Sequence, residues 1–326
     1  MIQYQEDDVE RKLISIVVPC YNEEETLHIL YEELNKVTSA MEGYTFEYVF
    51  VNDGSKDRTL LMIKELAEQD SRVKYVSFSR NFGKEAALLA GLESAKGDIV
   101  ATMDADMQDP PALLPELVGY VESGEYDNAA TRRVTRKGEP VIRSFFARTF
   151  YKMMRHMTDI HIVDGARDYR VMNRPMVDAI LSLQEYNRFS KGIFAWVGFE
   201  TKWVEFENVE RAAGETKWNF WKLLRYSIEG IVSFSNTPIH LASYLGLGLT
   251  GLSLIAMVFV FVRALICGDE VAGWPSLVCI ITFLGGVQMF VMGVMGQYIS
   301  KTYMEVKRRP HYIVKDTNVT LDKENP

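Results

Sequence analysis

Short apolar runs alternate with helical segments between residues 13 and 131, and this alternation limits the possible folds more than any other feature of the chain. The runs LISIVVP, FEYVFVND, VKYVSFS and DIVATMDAD are rich in β-branched residues. Between them lie segments such as EEETLHILYEELNKV and DRTLLMIKELAEQ, in which apolar residues recur at helical spacing. The pattern predicts a mostly parallel sheet covered by helices, so the fold class is α/β.

Polar residues follow each of the four predicted strands. In open parallel sheets, ligands bind beyond the carboxyl ends of the strands. Those ends carry four polar groups: Pro19 to Glu23, Asn52 to Ser55, Ser79 to Asn81, and Asp104 to Asp106. The pattern GxGxxG is absent after the first strand, which argues against a dinucleotide cofactor. We therefore expect a different ligand at this edge of the sheet.

The segment IVATMDADMQDPP places three aspartates at the end of the fourth predicted strand. In an extended chain Asp104 and Asp106 project to the same side, followed by Gln108. Oxygen ligands of this kind suit Mg²⁺ or Mn²⁺. The segment therefore predicts a metal site, with an acidic turn that holds no metal as the alternative. Asp109, which precedes Pro110, is predicted to be a structural helix cap.

The second and third strand ends suggest contacts with a nucleotide. Asp53 is placed to accept hydrogen bonds from a nucleobase or a ribose, although a plain helix cap has the same pattern. Arg80 and Lys84 flank Gly83, which is predicted to open a helix. A helix N-terminus with two basic side chains beside it can hold an anion. An ordinary solvated loop is the alternative for this third segment.

Two long runs without a charged residue follow near the C-terminus. They cover 22 positions from Leu241 to Val262 and 27 positions from Trp274 to Ser300. Each is long enough to cross a hydrocarbon layer about 30 Å thick. We predict two membrane helices at about 241–263 and 274–299, with a pair of buried core helices as the alternative. The basic residues after the second run place both ends of the pair in the cytoplasm.

The net charge of −8 argues against general binding of nucleic acid. Locally the charge balance reverses, because the segment from Arg132 to Arg155 contains eight basic residues and one acid. Apolar and basic residues of SFFARTFYKMMRHM fall on different helical faces. This predicts an amphipathic helix at about 144–158 in the lipid headgroup layer, or one packed on the protein core. The aromatic-rich segment at about 216–238 is predicted to lie at the same membrane surface.

These two segments favour an acceptor with a lipid tail and an anionic head. Arginine is suited to paired hydrogen bonds with phosphate oxygens. The candidate ligands of the acceptor phosphate are Arg132, Arg143, Arg211 and Lys217. Contact with lipid headgroups alone is the alternative role for any of them. Glycines in the uncharged runs permit close helix packing, so a homo-oligomer is compatible with the sequence.

Seven motifs together resemble the polyprenyl-phosphate glycosyltransferases of glycosyltransferase family 2, which include bactoprenol glucosyltransferases and dolichol-phosphate mannose synthases. They are PCYNEEETL, VNDGSKDRTL, SRNFGKEAALLAGL, DADMQDPP, DYRVMNRPMVDAI, RFSKGIFAWVGF and RAAGETKWNFWKLL. The resemblance covers nearly the whole chain. It implies a GT-A glycosyltransferase domain at 13–215 and a two-helix membrane hairpin within 239–300. Polar tails at 1–12 and 301–326 complete this organisation.

The resemblance also implies roles for individual residues. Tyr21, Glu23 and Asp53 would hold the nucleotide, and Pro19, Arg80 and Lys84 are further candidates for the same site. Asp104 would lie near the ribose and the diphosphate, and Asp106 with Gln108 would bind the metal. Relatives often read GDFR where this chain has Arg167-Asp168-Tyr169-Arg170, so arginine replaces the glycine. Asp168 keeps the acid and is the candidate base or orienting group, with Asp164 as a rival.

The predicted reaction transfers a sugar from a nucleotide sugar to polyprenyl phosphate at the cytoplasmic face of the membrane. UDP-glucose and UDP-N-acetylglucosamine are the leading donors. The family implies a single inverting displacement, in which Asp106, Asp168 and Arg132 act at the reacting groups. A phosphate acceptor is largely dianionic at pH 7, so it needs little help from a base. The alternatives are a processive polysaccharide synthase of the same fold and a non-catalytic membrane adaptor.

Overall fold

The computed structural model describes residues 11–133, 163, 165–206, 237–267 and 273–320. Within these ranges, eight strands form one sheet. The strands are β1 (Lys12–Cys20), β2 (Tyr44–Asn52), β3 (Val73–Phe78), β4 (Ile99–Thr102), β5 (Asn128–Arg133), β6 (Ala166–Asn173), β7 (Thr201–Phe206) and β8 (Val314–Thr317). The helices are α1 (Leu27–Ser39), α2 (Thr59–Gln69), α3 (Lys84–Ser94), α4 (Leu114–Glu122), α5 (Arg174–Ser182), α6 (Ser190–Trp196), α7 (Thr237–Cys267) and α8 (Trp274–Lys307), with a 3₁₀ turn at Pro111–Leu113.

The strand order is β7-β5-β6-β4-β1-β2-β3-β8. Strands β1 to β4 pair in parallel, and so do β5 and β7. Strand β6 is antiparallel to β4 and β5, and β8 is antiparallel to β3. The prediction of a mostly parallel α/β sheet is confirmed, and the four predicted strands correspond to β1 to β4. Their carboxyl ends therefore share one edge of the sheet.

Two apolar clusters cover the two faces of the sheet. Along β1, Ile14 and Ile16 belong to one cluster, which also receives α1, α2 and α4. Val17 belongs to the other, which receives α3 and α5. This alternation follows from the two-residue period of a strand. Gly91 lets α3 lie close to the sheet, because a Cβ there would be 2.2 Å from Cγ1 of Val17. The N-terminus of α3 is thereby held against the carboxyl edge.

The C-terminal part of the chain contains α7 with 31 residues and α8 with 34 residues. No helix among the described residues is both long and apolar enough to cross a membrane. The predicted membrane hairpin therefore stays a prediction. After α8, Arg308 adopts a left-handed conformation with φ of 46°, and the chain returns to the sheet as β8.

Several predictions concern residues outside the described ranges. These include the amphipathic helix at about 144–158 and most of the membrane-surface segment at about 216–238. The phosphate candidates Arg143, Arg211 and Lys217 and the rival acid Asp164 also lie outside the described residues. Their predicted roles remain untested.

Candidate active site

The loops after β1 and β2 are joined by hydrogen bonds at the carboxyl edge. The backbone N–H of Asn22 donates to Oγ of Ser55 at 3.0 Å, and the N–H of Lys56 donates to Oδ1 of Asn22 at 2.9 Å. The N–H of Glu23 donates to Oγ1 of Thr59 at 2.9 Å. The structure thus brings the predicted nucleotide residues Pro19, Tyr21 and Glu23 beside the segment that contains Asp53.

Asp53 is buried, with 3% of its surface exposed. Its Oδ1 accepts a hydrogen bond from the N–H of Phe82 at 2.6 Å, and its Oδ2 accepts one from the N–H of Gly83 at 3.0 Å. Burial raises the pKa of Asp53, while these two N–H groups and Arg80 act in the opposite direction. Both carboxylate oxygens therefore hold the loop after β3. No local pattern in the sequence predicts this contact.

Gly54 allows this contact between the loops. A Cβ at position 54 would lie 2.4 Å from the carbonyl carbon of Arg80, and the residue has φ of +63°. Both the space and the backbone angle therefore require glycine. The exposed guanidinium of Arg80 lies 3.9 Å from the centre of the Phe82 ring. Arg80 is thus placed at the edge next to Asp53, as predicted from the strand ends.

Lys84 joins two acids that sequence analysis had assigned to different roles. Its Nζ lies 2.6 Å from Oδ1 of Asp104 and forms a second ion pair with Oδ2 of Asp168. Gly83 caps the helix that begins at Lys84, with φ of 101°, which confirms the predicted helix start. Partial burial disfavours the ammonium, but Asp104 and Asp168 raise the pKa of Lys84 well above its ordinary value. The three side chains form one charged cluster.

Asp168 is held in its ionised form. Burial works against the charge, but Lys84 and Lys191 keep the pKa of Asp168 well below its usual range. A carboxylate with a depressed pKa is a weak proton acceptor. This state supports the orienting role for Asp168 over the role of a general base.

The acidic turn differs from the predicted extended geometry. Strand β4 ends at Thr102, and Met107 has φ of 60°, so the chain turns between Asp104 and Gln108. Oδ1 of Asp106 accepts a hydrogen bond from the N–H of Gln108 at 3.1 Å. The prediction of an extended chain through these acids is therefore wrong, because the chain leaves the sheet at Thr102 instead of continuing as a strand.

The donors in this turn suit a hard cation. Among the residues that the structure describes, no group of three or more His, Cys, Asp and Glu side chains is placed to hold a metal ion. The predicted metal ligands are not a group of that kind, because they are the carboxylates of Asp104 and Asp106 together with the amide oxygen of Gln108. The side chain of Asp104 is 22% exposed, so it remains accessible from solvent. Oxygen donors of this type fit Mg²⁺ or Mn²⁺.

Asp109 lies in a buried ion pair. Its side chain is fully buried, and Oδ1 accepts a hydrogen bond from Nε of Arg167 at 2.8 Å. Burial raises the pKa of Asp109 to about 6, and Arg167 opposes this shift. The predicted helix cap is wrong, because the 3₁₀ turn begins at Pro111 and its cap position is Pro110. The arginine that replaces the relatives' glycine thus has a partner in this chain.

Replacing Arg167 with Met is expected to lower the free energy of unfolding by ~3 kcal/mol, because Asp109 would remain buried without its partner. Denaturant unfolding of the purified protein in detergent, followed by tryptophan fluorescence, measures this change. The double variant Asp109→Asn/Arg167→Met removes both charges and should recover most of the loss. Equal stability of the single variant and the parent protein would contradict the assignment.

Arg132 lies near the carboxyl end of β5, at the same edge as Asp168. Its Nη2 pairs with Oε1 of Glu205 at 2.9 Å, and both side chains are partly exposed. In the register of β5 and β6, Arg132 lies opposite Ala166. The structure therefore places this phosphate candidate next to the strand that carries Asp168.

Three further residues of the site were missed by sequence reasoning. The carboxylate of Glu85 accepts a hydrogen bond from the N–H of Ser190 at 2.9 Å and another from its hydroxyl. Nζ of Lys191 donates to the carbonyl oxygen of Ala166 at 3.0 Å. The motif RFSKG contains two of these residues, but no periodicity links it to α3, about 105 positions earlier. Their place beside Lys84 and Asp168 depends on tertiary packing.

The edge as a whole combines cations with partly exposed carboxylates. Lys84, Arg80 and Arg132 supply positive charge, while Asp104 and Asp106 supply oxygen donors. Such a surface can bind an anionic ligand together with a metal ion.

Comparison with known proteins gives consistent matches. Residues 15–181 match the sequence profile of the family described as Glycosyl transferase family 2. The putative glycosyltransferase CsbB of Bacillus subtilis (strain 168) is 45% identical over 94% of this chain and 92% of its own length. The bactoprenol glucosyl transferase of Shigella phage SfII is 41% identical over 94% of this chain and 98% of its own length. A crystal structure of glucosyl-3-phosphoglycerate synthase from Mycobacterium tuberculosis with UDP is 22% identical, covers 68% of this chain and 78% of that chain, and has a TM-score of 0.46.

Proposed function

The chain belongs to glycosyltransferase family 2 and is therefore a glycosyltransferase, and from this premise we propose that it transfers glucose from a nucleotide sugar to polyprenyl phosphate. The phage SfII relative supports the acceptor and the sugar, since it is a bactoprenol glucosyl transferase that matches nearly the whole chain. Glucose is preferred over N-acetylglucosamine for the same reason. The observation that carries the proposal is the pairing of Lys84 with Asp104 and Asp168 at the carboxyl edge.

The donor nucleotide is proposed to bind between the loops after β1, β2 and β3. Tyr21 and Glu23 lie on the first loop, which hydrogen bonds join to the second. Asp53 fixes the third loop through the N–H groups of Phe82 and Gly83. Asp53 is thus proposed to support nucleotide binding partly indirectly, because it fixes the positions of Arg80 and Lys84. The family and the predicted site together support a GT-A arrangement.

Asp104, Asp106 and Gln108 would hold Mg²⁺ or Mn²⁺, which when bound supplies positive charge to the leaving nucleoside diphosphate. The protein's own cation at this place is Lys84, which keeps Asp104 at a fixed distance from Asp168. Fixed charges of this kind stabilise a transition state because they need no rearrangement during the reaction. The charged cluster is thereby prepared before the substrates bind.

The acceptor phosphate is proposed to approach between Arg132 and Asp168. Arg132 is partly exposed and can exchange its ion pair with Glu205 for one with a phosphate. An oxygen of the phosphate bonds to the anomeric carbon without losing a proton, because its second pKa is about 6. The bond from that carbon to the donor's diphosphate breaks, and the nucleoside diphosphate leaves with the bonding electrons. Asp168 then serves to orient the reacting groups through Lys84. Arg143, Arg211 and Lys217 are proposed as further ligands of the phosphate on the basis of the sequence.

On the basis of the two uncharged runs in the sequence, we further propose that the segments of α7 and α8 form a membrane hairpin and that the catalytic domain faces the cytoplasm. Strand β7 precedes α7 and β8 follows α8, and both strands belong to the same sheet. Any crossing made by α7 must therefore be reversed by α8. Large apolar side chains such as Phe259, Phe283 and Phe290 are more than half exposed, which suits contact with lipid. A lipid-borne acceptor would then meet the edge of the sheet at the bilayer surface.

A product assay tests the function directly. The purified full-length protein in detergent is incubated with undecaprenyl phosphate and, in separate reactions, UDP-glucose, UDP-N-acetylglucosamine, UDP-galactose or GDP-mannose. Mass spectrometry of the lipid fraction is expected to show one added hexose with UDP-glucose. EDTA should abolish the product, and excess Mg²⁺ or Mn²⁺ should restore it. Absence of a lipid product with every donor, or turnover that chelation leaves unchanged, would overturn the proposal.

A further inference from the structure

The chain segment after α8 completes the sheet beside β3. Strand β8 pairs antiparallel with β3, with Thr317 opposite Val76 and Val314 opposite Phe78. The N–H of Ser79 donates to the carbonyl oxygen of Ile313 at 2.9 Å, so the pairing continues into the loop after β3. In the absence of β8, β3 would be an edge strand with unpaired backbone groups. This segment after α8, residues 308–320, is called the tail below. It covers β3, the strand that leads into the proposed donor site.

Side chains of the tail anchor it at several points. Oδ1 of Asn318 accepts from the N–H of Tyr75 at 2.7 Å, and its Nδ2 donates to the carbonyl oxygen of Val73 at 3.0 Å. The ring of Tyr312 stacks on Phe78 with centroids 4.7 Å apart and planes 18° apart. The Tyr312 hydroxyl also hydrogen-bonds to the carboxylate of Glu93 on α3. The tail thus contacts both β3 and α3.

A short chain of contacts connects the tail to Asp53. The ring of Phe78 packs edge-on against Phe82, with centroids 5.8 Å apart. The N–H of Phe82 in turn donates to Oδ1 of Asp53 at 2.6 Å. Tyr312, Phe78, Phe82 and Asp53 therefore form one continuous series of contacts. The loop at 79–83 lies between the tail and the buried carboxylate.

The C-terminal end of α8 contacts the loop that precedes α6. The carboxylate of Glu305 accepts hydrogen bonds from the N–H of Tyr186, at 2.9 and 3.1 Å. The ring of Tyr186 stacks on His311 with centroids 5.7 Å apart. The loop that contains Tyr186 continues to Ser190, which hydrogen-bonds to Glu85, the neighbour of Lys84. The segment at 305–318 therefore contacts two parts of the chain that reach the N-terminus of α3. One is the strand that leads into the loop at 79–83, and the other is the loop that contains Tyr186.

We propose that residues 305–318 are a positioning element for the donor site, and that they hold the loop at 79–83 so that Lys84 stays aligned with Asp104 and Asp168. The segment does this by pairing with β3 and by stacking Tyr312 on Phe78. The expected effect on donor binding rests on the proposed function. The expected effect on the order of the loop at 79–83 does not depend on that function. Loss of the tail contacts should therefore loosen the loop first and weaken donor binding as a result.

Hydrogen exchange of the full-length protein in detergent tests the effect on the loop. In Tyr312→Ala, the backbone amides of peptides that cover residues 79–83 should exchange about tenfold faster than in the parent protein. Tyr312→Phe keeps the ring and should preserve the slow exchange. Lys315→Ala removes an exposed side chain from the same strand and serves as the matched control. Unchanged exchange in Tyr312→Ala and also in a variant that ends at Arg309 would overturn the proposal.

Kinetics test the effect on the donor site. In Tyr312→Ala the KM for UDP-glucose should rise about tenfold, and kcat should fall by less than in Lys84→Met, because the loop would shift while every charged group of the site is kept. A merely structural loss would lower the amount of folded protein and leave KM unchanged. Faster exchange with an unchanged KM would overturn the positioning role. If the parent protein transferred no sugar at all, the proposed function would fail, and the exchange experiment would still test the tail.

Discussion

Replacement of Asp106 with Ala is expected to reduce sugar transfer about a thousandfold, because it removes a proposed ligand of the metal ion that would stabilise the charge of the leaving diphosphate. Asp106 lies in a partly exposed turn outside the sheet, so we expect the fold to persist. The assay is the initial rate of lipid-linked hexose formation at saturating donor and acceptor. Thermal unfolding of the same preparation checks that the protein is folded.

Asp178→Ala is the matched control for this variant. Asp178 is an acid on α5 whose side chain is 63% exposed. Its Oδ1 lies 3.9 Å from Nη1 of Arg174. Its removal changes the net charge by the same amount on a different element of the fold. Full transfer activity is expected in this control. Retention of the parent rate in Asp106→Ala would remove the metal assignment and with it the proposed role of the acidic turn.

Replacement of Lys84 with Met is expected to lower kcat about a hundredfold, because Asp104 and Asp168 would lose the cation that aligns them. The side chain of Lys84 is 42% exposed, so water would partly solvate the two carboxylates. We therefore expect a larger effect on turnover than on stability. Lys84→Arg should recover part of the activity, since a planar guanidinium keeps the charge but contacts the carboxylates with a different geometry.

A double-mutant cycle separates this role from a general charge effect. If Lys84 acts by aligning Asp168, then Lys84→Met and Asp168→Asn should be strongly non-additive in their effects on kcat. Lys96→Met removes an exposed lysine just beyond the other end of α3 and should leave kcat unchanged. Additive losses in the double variant would show that Lys84 and Asp168 act independently.

Local patterns were sufficient to predict the central sheet. The apolar runs at β1 to β4 alternate with helices, of which α1 and α2 are amphipathic, and residues close in sequence define both the strand period and the helix period. Because the carboxyl ends of parallel strands share an edge, the polar residues after each strand were predicted to converge there. The structure places Asp53, Lys84 and Asp104 at this edge, as expected. Their proposed contacts with the substrates remain predictions.

Contacts between distant segments were not predictable in the same way. The ion pair of Lys84 and Asp168 joins residues 84 positions apart, and the hydrogen bond of Tyr312 to Glu93 joins residues 219 positions apart. Asp109 was predicted to be a helix cap but pairs with Arg167, because a local pattern does not show a partner that is distant in sequence. A sequence motif identifies the residue types but does not identify the partner that lies beside them.

The amino-acid sequence by itself determined the α/β class, the strands at the centre of the sheet, the family and the set of acids after β4, since each depends on local periodicity or on motifs of a few residues. Only the tertiary structure decided that Asp53 holds the loop after β3, that one lysine joins Asp104 to Asp168, and that the C-terminal tail returns to pair with β3. These contacts form because the packing of helices on the sheet brings distant segments together, and that packing has no signature in any single stretch of the chain.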